Sequence, residues 1–341
     1  MTRKMATLRR VDAVDPIPGA DAIEVATVGG WRVVVKRGEF QAGDLAVYCE
    51  IDSWIPHEVA PFLSKDKEPR EFNGVRGERL RTVKLRGQVS QGLLLPLNDL
   101  LKMNYDGSAV VEEGDDVSEM FGIQKYEPPV PAQLAGIARG LFPGFIPKTD
   151  QERCQNLVPE IAQWMAADLT WEMTEKLDGS SMTVYHRAGE VGVCSRNLEL
   201  KEDDANSFWV VARTHDLPNR LRALGRNIAL QGELIGEGIQ GNPYRIRGQS
   251  FYLFDIYDID QSRYLTAAER GVVAEKLAVV SVPVIATDTT LDNVDALLAR
   301  AEGKSQLNLL AEREGVVFKC NQQPELHFKA ISNRFLLKNG G

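Results

Sequence analysis

The segment from Thr170 to Arg187, TWEMTEKLDGSSMTVYHR, constrains the fold more than any other part of the chain. Its residues alternate apolar and polar on both sides of Asp178-Gly179, which predicts two antiparallel strands joined by a turn at that dipeptide. Lys176 then stands at the mouth of a β-hairpin, facing a site, with a carboxylate and a glycine close behind it. A lysine amine has a pKa of about 10.4 and becomes a nucleophile only where burial or neighbouring cations depress that value. So placed, it could bond covalently to a nucleotide, with Asp178 binding a hydrated magnesium ion. Gly179 would let a nucleotide approach the backbone. The bland reading is a solvated hairpin turn, since four-residue matches of this kind arise by chance.

Further segments carry, in order, the residue types that such chemistry needs. Ser195-Arg196-Asn197 follows the second strand and offers a guanidinium fork suited to phosphate. Gln231-Gly232-Glu233-Leu234 sets a carboxylate in an apolar strand. Phe251 to Ile256 reads as a strand whose Phe254 could stack on a purine face. Glu314 to Lys319 has a carboxylate at one end and a lysine at the other, and His327-Phe328-Lys329 adds another cation. Singly, each is more simply a strand-edge carboxylate, a core aromatic or a snorkelling lysine.

Together, from about residue 170 to 335, these segments resemble the covalent nucleotidyltransferases: ATP-dependent DNA ligases, RNA ligases and GTP-dependent mRNA capping enzymes. The resemblance implies that Lys176 takes AMP, and it puts Glu175, Gly179 and Phe254 at the nucleotide. It implies that Asp178, Glu233 and Glu314 hold the ribose or a hydrated Mg2+ or Mn2+ ion, that Arg196 meets the acceptor phosphate, and that Lys319 and Lys329 contact the triphosphate of ATP and lower the pKa of Lys176. Two departures narrow the family. Ser180 and Ser181 follow the tetrad where DNA ligases and capping enzymes carry an arginine, and the chain ends at Gly341 without room for their later OB-fold domain. The extra mass at the front is similar to the RNA ligase 5 clade, which places an OB-like domain before the nucleotidyltransferase domain. His327 departs from the Lys-x-Lys pattern usual there.

The N-terminal region reads the same way from its own residues. Ile23 to Val28, Trp31 to Lys36, Leu45 to Glu50, Leu80 to Leu85 and Gly92 to Leu97 predict a five-stranded barrel, and Val11 to Pro56 resembles the N-terminal domain of that clade. The expected fold class is α+β: an OB-like β-barrel over residues 1–125, a Pro-rich linker over 126–148, and an adenylyltransferase domain over 149–341 built on antiparallel sheets with flanking helices. Asp150 is read as a helix N-cap ahead of a helix over Gln151–Trp164, with further helices over Ala267–Leu277 and Leu291–Ala301.

The net charge of −8 argues against a protein that merely coats nucleic acid. A local basic track remains: Arg76, Arg79, Arg81, Lys84 and Arg86 cluster in one strand and its approach, and Arg3, Lys4, Arg9 and Arg10 at the N-terminus. Cys49, Cys154, Cys194 and Cys320 make no CxxC pair, and His57, His186, His215 and His327 have no metal-ligand spacing. With no apolar leader or spanning run, a cytoplasmic setting is expected. Nothing resembles a coiled coil, so a monomer is expected. Gly236 to Gly241 matches GxGxxG, but Asn242-Pro243 and a strand follow, whereas a dinucleotide loop must open a helix. Gly303-Lys304-Ser305 lacks the earlier glycine of a P-loop and reads as a helix C-terminal turn.

The expected activity is ATP-dependent joining of RNA ends, a 3′-hydroxyl to a 5′-phosphate, in nick repair or sealing. The RNA could be a nicked duplex or an RNA-DNA hybrid. Two alternatives stand beside it: a DNA-sealing ligase, and a noncatalytic OB-fold protein that binds RNA or nucleotide.

Overall fold

The computed structural model describes residues 3–65, 67–98, 111–127 and 136–339. The chain divides into two compact units, Met1–Pro129 with Asn333–Gly341, and Val130–Ser332. The terminal helix Asn333–Asn339, counted from sequence with the second domain, thus groups with the first unit.

The first unit is built from short antiparallel strands. One sheet orders Ala6–Arg10, Leu45–Cys49 and Leu93–Pro96; a second orders Ala13–Pro16, Ile23–Val28 and Trp31–Lys36. Alternation explains the choice: in WRVVVK the residues Trp31, Val33 and Val35 are buried while Arg32 and Lys36 face solvent. The core gathers Leu8, Val47, Ile55, Leu80, Leu95 and Phe121. The strand expected over Leu80–Leu85 forms only over Val83–Leu85. Val75–Arg79 pairs with Ser53–Pro56, and Val83–Leu85 forms a separate hairpin with Gln88–Ser90. The expected basic strand is therefore split between two sheets. Arg76 bridges Glu68 at 2.6 Å, and Arg79 bridges Asp52 at 2.6 Å with its guanidinium over Tyr126. Lys84 and Arg86 sit exposed on the second hairpin, with Arg86 in its turn at φ 48°, and Arg81 is exposed between the two.

The second unit stacks its helices on the outer faces of two sheets. A seven-stranded sheet orders Ala138–Leu141, Leu198–Leu200, Glu190–Cys194, Ser180–Arg187, Ile228–Gly236, Gln249–Asp258 and Arg263–Tyr264. The helices Ser207–Thr214, Leu217–Leu224 and Ala267–Lys276 cover one face of it, burying Trp209, Leu217, Leu221 and Val273 against Met182, Val184, Leu230 and Leu253. A five-stranded sheet orders Glu152–Arg153, His327–Ile331, Gly315–Cys320, Trp171–Lys176 and Val284–Thr289, all antiparallel except the first pair. The helices Val158–Ala166 and Val294–Ala301 close its far face over Trp171, Phe318 and Phe328.

Several expected boundaries move for local reasons. The first helix begins at Val158, not Gln151, because Pro159 is tolerated only in a helix's first turn. Asp150 does not cap it but pairs with Arg196 at 2.5 Å. Thr266 caps the helix from Ala267 through a reciprocal box with Glu269, and Asn293 caps the helix from Val294, so Leu291 lies outside it. Of the stretch expected as linker, residues 128–135 lie outside the described residues. From Ala138 the stretch is built into the second unit, with Ile146 buried against Tyr185 and Cys194. Neither decoy forms a nucleotide loop: Gly236 ends a strand and the next element is the strand Gln249–Asp258, while Gly303 follows the helix Val294–Ala301 directly.

Candidate active site

Both expected strands and the turn between them form, Trp171–Lys176 and Ser180–Arg187 on either side of Leu177-Asp178-Gly179, but the two strands do not pair with each other, so the expected β-hairpin does not close. They enter different sheets, the first pairing with Gly315–Cys320 and the second with Ile228–Gly236. The tetrad thus joins the two sheets, and their helix-free faces meet beside it. The buried Lys319 of one sheet bridges Asp255 of the other at 2.7 Å.

Register decides which side chains share the site. Lys176 lies opposite Gly315, Val317 opposite Lys329, and Lys319 opposite His327, so Lys176, Lys319, His327 and Lys329 occupy one face of the five-stranded sheet. On the other sheet Ser181 lies opposite Glu233, and Glu233 opposite Tyr252. Gly179 is a glycine because of packing: a Cβ there would lie 2.5 Å from the Leu234 carbonyl oxygen and 2.6 Å from Ile235.

Lys176 Nζ donates a hydrogen bond to Glu314 Oε1 at 2.7 Å. Burial opposes the ammonium, but Glu314, Glu233 and Asp178 outweigh it and hold its pKa above the usual lysine value. Lys319 and Lys329, expected to lower that pKa, do not govern it here. Lys319 is held by Asp255 and donates to the Phe254 carbonyl oxygen, and burial brings its own pKa down. The carboxylates show the reciprocal strain. Burial pushes Glu233 up to about 8, with Lys176 opposing and Glu314 and Asp178 adding to the rise. Burial and then Glu314 push Asp178 up to about 7, against the pull of Lys176. Carboxylates raised this far call for a cation beyond Lys176. Among the described residues no group of three His, Cys, Asp or Glu side chains is close enough to chelate a metal directly. Asp178 and Glu233, raised by burial and by Glu314 beside them, are the groups at which a cation would relieve the repulsion.

The remaining expected residues divide. Phe254 packs partly buried among Leu177, Tyr252, Tyr244 and Leu307, with Lys319 Nζ 5.6 Å from its ring centre. Arg196 is exposed and paired with Asp150. Glu175 alternates onto the face opposite Lys176, where Oε2 accepts from the Gln306 backbone N–H at 2.8 Å and Oε1 is buried with no hydrogen-bond partner among the described residues. The site also contains Tyr244, which the sequence reading missed. Its hydroxyl accepts the Asp178 backbone N–H at 2.5 Å and fixes the turn from outside the two strands that flank it. The signal was the Asn242-Pro243-Tyr244 turn that follows the rejected glycine decoy. Thr149, hydrogen-bonded to Ser181 at 3.0 Å, was missed for the same reason of distance along the chain.

A family model described as RNA ligase matches residues 169–338, and an OB-fold domain model matches residues 5–97. A structure of a Naegleria gruberi RNA ligase mutant without ligand has 46% identity over 98% of this chain and 97% of its own, with a TM-score of 0.90. The chain belongs to the RNA ligase family. The same Naegleria enzyme with pyrophosphate gives 47% identity, 98% coverage of both chains and a TM-score of 0.90. As a mutant with AMP and manganese it gives 47%, 98% of both chains and 0.89. A search of curated proteins gives no match. The family match carries the α+β architecture with it: an OB-fold domain followed by an RNA ligase domain, acting on RNA. Among the described residues no helix is long and apolar enough to cross a membrane.

Proposed function

We infer that the chain is an ATP-dependent RNA ligase that joins an RNA 3′-hydroxyl to a 5′-phosphate, at nicks or breaks, with Lys176 as the group that carries AMP. The observation that carries the reading is the half-buried amine of Lys176 at 2.7 Å from Glu314, with Glu233 and Asp178 close enough to shift it. The Naegleria gruberi ligase, at 46% identity, has been solved as a mutant with ATP and manganese.

In the first step the Nζ lone pair attacks the α-phosphorus of ATP. A P–N bond forms, the bond to the bridging oxygen breaks, and pyrophosphate leaves. Next, a 5′-phosphate oxygen of RNA attacks the same phosphorus, which restores the lysine amine and gives adenylylated RNA. The 3′-hydroxyl then attacks the 5′-phosphate, AMP departs and the phosphodiester closes. Glu314 orients Nζ through their hydrogen bond and accepts its proton. Asp178, Glu233 and Glu314 would hold Mg2+ or Mn2+ through water, and that cation would offset the carboxylate charge that now favours the ammonium. Phe254 supplies an aromatic face beside the turn for adenine. Arg196 and Lys329 are assigned to phosphate, the second from the same face as Lys176. Positioning and charge neutralisation supply most of the acceleration. Buried free thiols in both units support a reducing cytoplasmic setting, and we take the chain to act as a monomer.

Incubation with ATP or GTP labelled on the α-phosphate, with either metal, tests the reading. Label from ATP should map to the peptide holding Lys176 and vanish in Lys176→Ala. A labelled alanine variant would overturn the assignment.

A further inference from the structure

The loop between the strands Ile228–Gly236 and Gln249–Asp258 is irregular but tightly held. Tyr244 receives the Asp178 N–H, and the Gln240 side-chain amide donates to the Gly179 carbonyl at 3.4 Å, so the loop grips both residues of the catalytic turn. Asn242 spans it twice, its amide donating to the Ile246 carbonyl at 2.9 Å and its oxygen accepting the Ile246 N–H at 3.1 Å. Asn308, in the loop between the helix Val294–Ala301 and the strand Gly315–Cys320, fastens it by donating to the Pro243 carbonyl at 2.7 Å. Within this frame Arg245 is fixed at φ 55°, a left-handed conformation rare for a bulky side chain and found mostly where the surroundings impose it.

Arg245 and Arg247 are both exposed, and neither side chain has an ion pair, hydrogen bond or ring contact among the described residues. That sets them apart within this unit. Arg139, Arg196, Arg213, Arg220, Arg226, Arg263, Arg270 and Arg300 each bridge a carboxylate. Arg313 donates to backbone carbonyls, Arg222 to Asn219, and Arg187 lies over Phe145. In a chain of net charge −8, two uncompensated guanidinium groups beside the nucleophile turn are a local positive site. The loop's own carboxylate, Glu237, is also exposed and leaves it net positive.

We propose that Arg245 and Arg247 bind the phosphate backbone of the RNA strand being sealed and seat it against the Lys176 turn. The fit is one of chemistry: guanidinium forks match phosphate oxygens, and a rigid loop anchored to Asp178 and Gly179 ties the strand's register to the reacting phosphorus. The proposal rests on the RNA ligase reading. It makes RNA the occupant and leaves ATP to the lysines, so the two ligands separate in the test.

Full-length wild type, Arg245→Ala/Arg247→Ala and Arg245→Lys/Arg247→Lys are compared for self-adenylylation with ATP and for sealing of a nicked RNA duplex over a range of salt. The alanine pair should label with AMP within about twofold of wild type, while its KM for nicked RNA rises about tenfold or more. The slope of log KM against log salt should fall by about one per lost phosphate contact. The lysine pair should recover much of the KM but not all of it, since lysine lacks the fork. An unchanged KM and salt slope would overturn the proposal. So would self-adenylylation that falls in step with sealing, which would assign the arginines to ATP or to the fold. If wild type itself formed no lysyl-AMP, the ligase reading would fail first and take this proposal with it.

Discussion

Glu233 sits where burial and two like charges push its pKa to about 8, far above an ordinary carboxyl group. Its folded pKa exceeds its unfolded one, so between about pH 4.5 and pH 8 the native state holds a proton that the unfolded chain releases. Stability contributed by the neutral form is present below pH 4.5 and is lost as pH rises through 8. Glu233→Gln should therefore stabilise the ligand-free protein at pH 8, on the order of 1 kcal/mol once solvent screening of a partly exposed group is allowed for, or about 2–4 °C in Tm. The gap should close toward pH 4.5. The same variant should adenylylate poorly at every pH, since the amide cannot help hold a hydrated cation. Melting curves at pH 5 and pH 8 check the sign; a Gln variant less stable at pH 8 would refute the account. At this scale the sequence was informative about chemistry and silent about direction. The spacing of Lys176, Asp178, Glu233 and Glu314 announced a site, but whether cations or carboxylates dominate Lys176 depends on Lys319 turning to Asp255, a contact 64 residues apart in the chain that no local pattern encodes.

The two strands and the turn around Asp178-Gly179 were legible because both strands alternate and the turn carries Asp-Gly, whereas pairing was not: the two strands join different sheets instead of each other. Leu80 to Leu85 has strand composition, yet Leu80 is drawn into the core and the chain breaks there into two sheets. Likewise, helical spacing over Gln151–Trp164 lost to the bound that Pro159 sets on the helix start. Glu175, adjacent to the nucleophile in sequence, falls on the opposite face because a strand alternates. The turn itself offers a sharp test. A Cβ at Gly179 would meet the Leu234 carbonyl at 2.5 Å and Glu233 Cγ at 2.9 Å, so Gly179→Ala must move one strand against the other. It should cost about 1–3 kcal/mol and lower adenylylation at least tenfold, because the displaced groups are Lys176's own neighbours. Gly271→Ala is the matched comparison: it is exposed within the helix Ala267–Lys276 with nothing within 4 Å of the added Cβ. That change should stabilise by about 0.5–1 kcal/mol, as for alanine over glycine in a helix, with adenylylation unchanged. Chemical denaturation and AMP labelling of both variants separate packing at the turn from glycine content in general.

Across the whole molecule the cysteines report on folding without taking part in chemistry. Cys49 lies in the first unit, and Cys154, Cys194 and Cys320 lie in the second; all four are buried and free. Burial pushes the Cys49 and Cys154 thiols up to about 12 and raises Cys194 as well, which removes the thiolate that alkylating and disulfide reagents need. The native protein should give almost no fast thiol reaction at pH 8 and all four thiols after denaturation. Because each unit has its own core, ligand protection can be read unit by unit. On the proposed siting at Lys176, ATP with magnesium would bind only the folded state of the second unit, and at a hundredfold excess over its Kd it should add about 2.7 kcal/mol there. Labelling during a temperature ramp, with the modified peptides resolved by mass, should then show Cys154, Cys194 and Cys320 protected to higher temperature by ATP and magnesium, with Cys49 moving less. Protection confined to Cys49 would contradict the siting of the nucleotide in the second unit. Equal protection of all four would mean that the two units unfold as one cooperative body, so that nucleotide bound at Lys176 stabilises the OB-fold domain as well.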